Sequence, residues 1–197
     1  MRTKASGESA LLLLDAIQVL RSANVDYAVV GAMAASVHGV VRASFDADAL
    51  LSISISALTE LERSLMAAGF TTELRRGDMG DPISALLTLR DSFENRVDLL
   101  AGIRGFDPAA FSRTIEVALE GESLQFVGLE DFVAMKLFAG GPQDLVDARS
   151  ALEAAPEPPN RVLLEGLAQR YGPETARSLE SLLANFSRTV DSGLELD

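Results

Sequence analysis

Three aspartates are the residues of this chain best suited to chemistry. Asp46 and Asp48 stand two apart in Phe45-Asp46-Ala47-Asp48-Ala49, and Asp98 lies in Arg96-Val97-Asp98-Leu99-Leu100. Residues two apart on a strand point the same way, so the Asp46 and Asp48 carboxylates would share one face with Cα atoms about 6–7 Å apart. Two carboxylates at that spacing can converge on one or two Mg²⁺ ions, and two-metal sites hold their ions roughly 3.5–4 Å apart. Asp98, an acid flanked by strand-forming residues, is the candidate third ligand. Other chemistries are poorly supplied. The chain has no cysteine, which removes disulfides and thiolate metal sites, and one histidine, His38, which leaves no zinc cluster of the usual kind. Carboxylates with a hard cation need oxygen ligands alone.

The elements that must carry these acids can be read from periodicity. Residues 9–23 repeat Leu13, Ile17 and Leu20 at helical spacing. Tyr27–Val30 is a short strand ended by Gly31, and Ala32–His38 is a helix of small residues able to sit close to a sheet. A strand is expected over 48–54. A helix capped by Ser56 and lined by Leu58, Leu61 and Leu65 follows it, ended by Gly69. Strands are expected at 70–74, 83–90, 96–101 and 124–127, with a glycine-rich loop at 75–82 and a short helix near 108–113. Helices are expected at 129–138 and 143–153. Pro156, Pro158 and Pro159 form a stiff linker, followed by helices at 161–171 and 174–188, the second amphipathic through Leu179, Leu182, Leu183 and Phe186. The order predicts an α+β fold (α/β mixed sheet) with a helical C-terminal part. Residues 1–155 make the main domain and 156–197 a helical segment packed on it.

Gly31-Ala32, Arg42, Ser44, Asp46-x-Asp48, Val97-Asp98-Leu99-Leu100, Glu130-Asp131, Lys136, Ala139-Gly140, Asp144 and Asp147 resemble the nucleotidyltransferase superfamily, and within it the AbiEii/AbiGii toxin-like branch. The resemblance runs from about Tyr27 to Leu152. It implies a nucleotidyltransferase-like fold and transfer of a nucleoside monophosphate from an NTP to an acceptor. It implies Mg²⁺ held by Asp46, Asp48 and Asp98, with Gly31, Ala32, Arg42 and Lys136 toward the nucleotide and its phosphates. On this reading Asp46 and Asp48 hold the metal that bridges the phosphates, while Asp98 serves the acceptor side. Two positions depart from the pattern. The usual Gly-Gly or Gly-Ser is Gly31-Ala32, and a basic residue frequent before the aspartate matching Asp144 is Gln143.

Net charge is −12, from 17 basic and 29 acidic residues, and no basic tail or stripe stands out. That excludes a general nucleic-acid binder held by many phosphate contacts. No apolar run is long enough to span a membrane, and the polar N-terminus followed by Leu11–Leu14 and Asp15 does not read as a signal peptide. A cytoplasmic protein is expected. The acceptor stays open at this level: tRNA or another RNA, with an antitoxin protein as partner, in the toxin-like reading; a cationic small molecule in an antibiotic-type reading. A third alternative is a non-catalytic binding protein whose phosphate loop has decayed at Ala32.

Overall fold

A computed structural model of the chain describes residues 1–41 and 44–192, with side chains through Ala184. Arg42 and the Phe186 side chain therefore lie outside the described residues. Among the described residues, seven helices and seven strands follow in the order α1 (Ser9–Ser22), β1 (Tyr27–Val30), α2 (Gly31–Val37), β2 (Asp46–Leu51), α3 (Ile55–Ala67), β3 (Thr71–Arg76), β4 (Ile83–Arg90), β5 (Arg96–Ile103), a 3-10 turn at Pro108–Ser112, β6 (Ile115–Leu119), β7 (Glu122–Phe126), α4 (Leu129–Ala139), α5 (Pro142–Ala154), α6 (Arg161–Tyr171) and α7 (Pro173–Ser192).

The chain divides into two compact units. The first holds α1–α3 and all seven strands, which form one mixed sheet in the order β3-β4-β5-β2-β1-β7-β6. The pairs β2–β5 and β1–β7 are parallel, and the rest are antiparallel. The centre of the sheet is nearly all apolar: every residue of β1 is buried, as are Ala49, Leu50, Leu51, Val97 and Leu99. Helix α1 packs on β2 and β5 through Leu12, Leu13, Ile17 and Leu20, and α3 packs on β3 and β4 through Leu58, Leu61 and Leu65. The second unit gathers α4–α7 with the short segments His38–Val40 and Gly105–Asp107. Here α4 packs on α5, α6 and α7. This packing groups the helices from Leu129 onward, so the unit begins well before the proline-rich stretch at 156–159.

Several local expectations are adjusted by the structure. Strand β2 begins at Asp46 and stops at Leu51, which places both aspartates inside it. Ser54, rather than Ser56, caps α3: its hydroxyl accepts from the Ala57 amide at 3.3 Å, while the Ser56 hydroxyl bonds only to that of Ser54 at 2.9 Å. Such a cap contributes about 1 kcal/mol. Strand β6 is an element the sequence pattern did not announce. It is a five-residue stretch, Ile115-Glu116-Val117-Ala118-Leu119, with Ile115, Glu116 and Ala118 exposed and none of its residues fully buried.

Candidate active site

The registers of three strand pairs build the site. Across β2 and β5, Asp46 stands opposite Arg96 and Asp48 opposite Asp98. Across β1 and β2, Val30 stands opposite Asp48, and across β4 and β5, Thr88 stands opposite Asp98. Directly paired residues point to the same face of a sheet, so Asp46, Asp48, Arg96, Asp98 and Thr88 share one. Ala47, Ala49, Val97 and Leu99 alternate with them and are fully buried. The apolar alternates hold the register, because a slip of one residue would turn the acids into the core.

The result is a cluster in which one carboxylate oxygen each from Asp46, Asp48 and Asp98 lies within 4.8 Å of the others. Among the described residues it is the only group of three or more acidic, histidine or cysteine ligands so arranged. The donor set fits a hard divalent cation, being carboxylate oxygen throughout and on rigid strands.

Each acid is held by neighbours. The Ser44 hydroxyl donates to Asp46 Oδ1 at 2.6 Å. Gly31, at φ +65°, brings the backbone so near Asp48 that a Cβ there would lie 2.1 Å from its Oδ2. The glycine is thus required twice, by its backbone conformation and by the space it leaves. The Thr88 hydroxyl donates to Asp98 Oδ1 at 2.8 Å, and Arg96 forks onto the same carboxylate, Nε to Oδ1 at 3.0 Å and Nη2 to Oδ2 at 2.6 Å. The hydrogen bond to Asp98 raises the Arg96 pKa above the ordinary arginine value; burial opposes this, and the charges of Asp98, Asp46 and Asp48 add to it.

A second layer fixes the strand ends. Buried Ser9, at the start of α1, donates its hydroxyl to the Phe45 carbonyl at 2.6 Å and accepts from the Arg96 amide at 3.1 Å. It therefore stitches the start of β2 to the start of β5. The turn before β5 is closed by Asp91, which accepts from the Phe93 amide, the Asn95 amide and the Asn95 side chain at 2.8, 3.0 and 2.8 Å. Burial raises the Asp91 pKa, but the hydrogen bonds from Asn95, Thr3 and Phe93 outweigh it and hold it below the ordinary carboxylate value.

Beside Asp46 opens a cavity of about 300 Å³, lined by Gly7, Ser9, Ala10, Ala32, Met33, Ser36, Ser44 and Asp46. Its walls are small residues and hydroxyls with Met33 and one carboxylate, and no described basic side chain lines it. Ala32 is one of those walls.

Lys136 belongs to the helical unit. Its ammonium donates to Asp144 Oδ1 and meets Asp147 Oδ2, each at 2.8 Å, and lies 5.7 Å from the Phe132 ring centroid. Asp147 is fully buried and also accepts from Gln143 Nε2 at 2.8 Å. Lys136, Asp144 and Asp147 thus form one ionic cluster, with Asp147 fully buried and Asp144 partly exposed. The His38 ring stacks obliquely on Phe132, with centroids 5.0 Å apart. Sequence reasoning missed Arg96 and Thr88 as site residues. Arg96 was signalled by its position two before Asp98 on one strand; Thr88 had no signal short of the strand register.

No protein-family model matches the chain, and no curated protein matches it. Its fold does match solved structures. The antibiotic-resistance factor ANT(2'')-Ia in solution superposes with a TM-score of 0.59 at 12% identity, over 95% of this chain and 99% of that one. A crystal structure of ANT(2'')-Ia in complex with adenylyl-2''-tobramycin gives a TM-score of 0.55 at 14% identity, over 82% and 98%. An antigenic nucleotidyltransferase-like protein from Paracoccidioides brasiliensis gives 0.51 at 18% identity, over 95% and 91%. The chain therefore has a nucleotidyltransferase-like fold, with a mixed α/β sheet and a helical C-terminal part.

Proposed function

We propose that the protein transfers a nucleoside monophosphate from an NTP to an acceptor hydroxyl, with Mg²⁺ as cofactor. The observation that carries this reading is the meeting of Asp46, Asp48 and Asp98 oxygens within 4.8 Å on adjacent strands of such a fold. Phosphoryl chemistry asks a protein for charge neutralisation and in-line positioning more than for covalent help. A divalent ion held by Asp46, Asp48 and Asp98 would supply charge neutralisation to the triphosphate and make an acceptor hydroxyl easier to deprotonate. The chain's own part is orientation. Ser44 fixes the Asp46 carboxylate, Thr88 and Arg96 fix that of Asp98, and Gly31 leaves room for Asp48. Gly31 and Ala32 then form the wall nearest these acids, where the phosphates belong on this reading.

Two acceptors are supported by different observations. The motif resemblance to AbiEii/AbiGii toxin-like proteins supports an RNA acceptor such as tRNA, a cytoplasmic setting and an antitoxin partner. The net charge of −12, and the likeness of fold to the antibiotic-resistance factor ANT(2'')-Ia, support a small cationic acceptor, because an acidic protein attracts an amine and repels a phosphate backbone. We favour the small cationic acceptor on that ground.

Incubation with each labelled NTP, Mg²⁺ and either total RNA or a panel of aminoglycosides tests both. The enzyme reading expects label on one acceptor class. It also expects Asp98→Asn to keep Mg²⁺·NTP binding while losing most transfer, and Asp48→Asn to lose both. Full transfer in Asp98→Asn, or unchanged Mg²⁺·NTP binding in Asp48→Asn, would overturn the assignment of these acids.

A further inference from the structure

Asp98 carries more than a cation ligand's share of contacts. Thr88 and Arg96 Nε already engage Oδ1, and Arg96 Nη2 engages Oδ2. An ionised carboxylate offers about four lone-pair sites, so Oδ2 keeps one to give. Any cation using it becomes a close neighbour of the guanidinium.

Two effects of Arg96 on such a cation oppose each other. The fork holds the Asp98 carboxylate in one orientation, which spares a cation the cost of ordering it. The guanidinium also places a permanent positive charge beside a double one. Like charges a few ångströms apart in a partly buried site repel by far more than one side-chain torsion costs to order, so repulsion wins. Arginine cannot escape by losing its proton. It can only move aside, and the Arg96 side chain is 37% exposed, while that of Asp98 is 11% exposed.

We propose that Arg96 is the resident counter-ion of the Asp46–Asp48–Asp98 cluster, a built-in competitor that lowers its affinity for divalent cations. The proposal rests on the reading of these three acids as cation ligands. Arg96 is opposite Asp46 in the β2–β5 register and forks onto Asp98, so its charge faces the cluster from within the same sheet row. Arg96 acts here as a positioning residue, through the carboxylates and not on substrate. Loss of its charge should tighten cation binding, whereas loss of a merely structural residue would weaken binding or leave it alone.

The test is a Mn²⁺ titration of the full chain without nucleotide, followed by calorimetry. Arg96→Met should bind Mn²⁺ about fivefold more tightly than the parent protein, the upper end for one partly exposed charge pair. Arg96→Lys keeps the charge and loses the fork, so it should stay within about twofold of the parent. If Arg96→Met does not fold, Arg96→Gln carries the same expectation. Mn²⁺ binding in folded Arg96→Met that is no tighter than in the parent would overturn the counter-ion role and leave the cation site standing. So would Arg96→Lys binding as tightly as Arg96→Met, since charge would then not be the cause. Absence of Mn²⁺ binding in both parent and Arg96→Met, or binding undiminished in Asp48→Asn, would overturn the cation site and the counter-ion role together.

Discussion

A cluster of like charges survives in a folded protein only if individual residues make room for it and answer its charge. Gly31 makes the room. Alanine there meets Asp48 Oδ2 at 2.1 Å in a backbone conformation that L side chains rarely adopt. Gly31→Ala should cost about 1–2 kcal/mol from the left-handed backbone alone, and should weaken Mn²⁺ binding because Asp48 must swing away. Urea denaturation and Mn²⁺ titration of the same variant separate the two effects. Asp91 sets an acid limit on stability. Its folded pKa lies below the unfolded value, so its contribution is present above the unfolded pKa and is lost as pH falls through the folded one. Asp91→Asn should flatten that acid limb, read from urea midpoints between about pH 5 and pH 2. At this scale the sequence was most legible where spacing alone decides geometry. Asp46 and Asp48 share a face because strands have period two. Asp91 and Thr88 were not legible, because their partners are set by a turn and a cross-strand register.

At the scale of elements, α4 and α5 are joined by an ionic cluster. The family resemblance places Lys136 toward the nucleotide and its phosphates. Its ammonium bridges Asp144 and fully buried Asp147. Breaking such a pair leaves a buried charge uncompensated, so Lys136→Ala should destabilise the protein by about 3–5 kcal/mol. Chemical denaturation checks this. A loss under about 1 kcal/mol would mean that the pairing is dispensable and would return the ammonium to the nucleotide. The strands β1, β4 and β5 and the helix α6 were legible because apolar runs or helical spacing end at glycine, proline or polar turns. Strand β6 was not, since it lies at the sheet edge with a mostly exposed surface. The cap of α3 was misread by two residues because serines occupy 52, 54 and 56 alike, and only the turn geometry chooses among them.

For the whole molecule, charge is the property that survives any detail. With a net charge of −12, the full chain should bind mixed RNA without the steep salt dependence of a polycation-driven complex. Filter binding between about 50 and 200 mM salt tests this, and a loss of about 10³-fold over that range would restore RNA as the favoured acceptor. No helix among the described residues is long and apolar enough to cross a membrane. Composition made both statements readable in advance. The boundary between the two units was less readable. Prolines mark stiff chain, whereas unit membership is decided by which helices bury one another, and α4 packs on α5, α6 and α7.

The placement of β5 beside β2 also orders events in time. Asp98 follows Asp48 by about fifty residues, so at ribosomal rates it emerges roughly 3–10 s later. During that interval the growing chain holds two of the three acids and lacks the strand that completes them. The antiparallel run β3–β4–β5 is made of neighbours in sequence and can pair early, whereas the parallel β2–β5 pairing closes a long loop. A ligand that needs all three carboxylates therefore rewards only the finished sheet centre. It should slow unfolding while leaving the rate of folding almost unchanged.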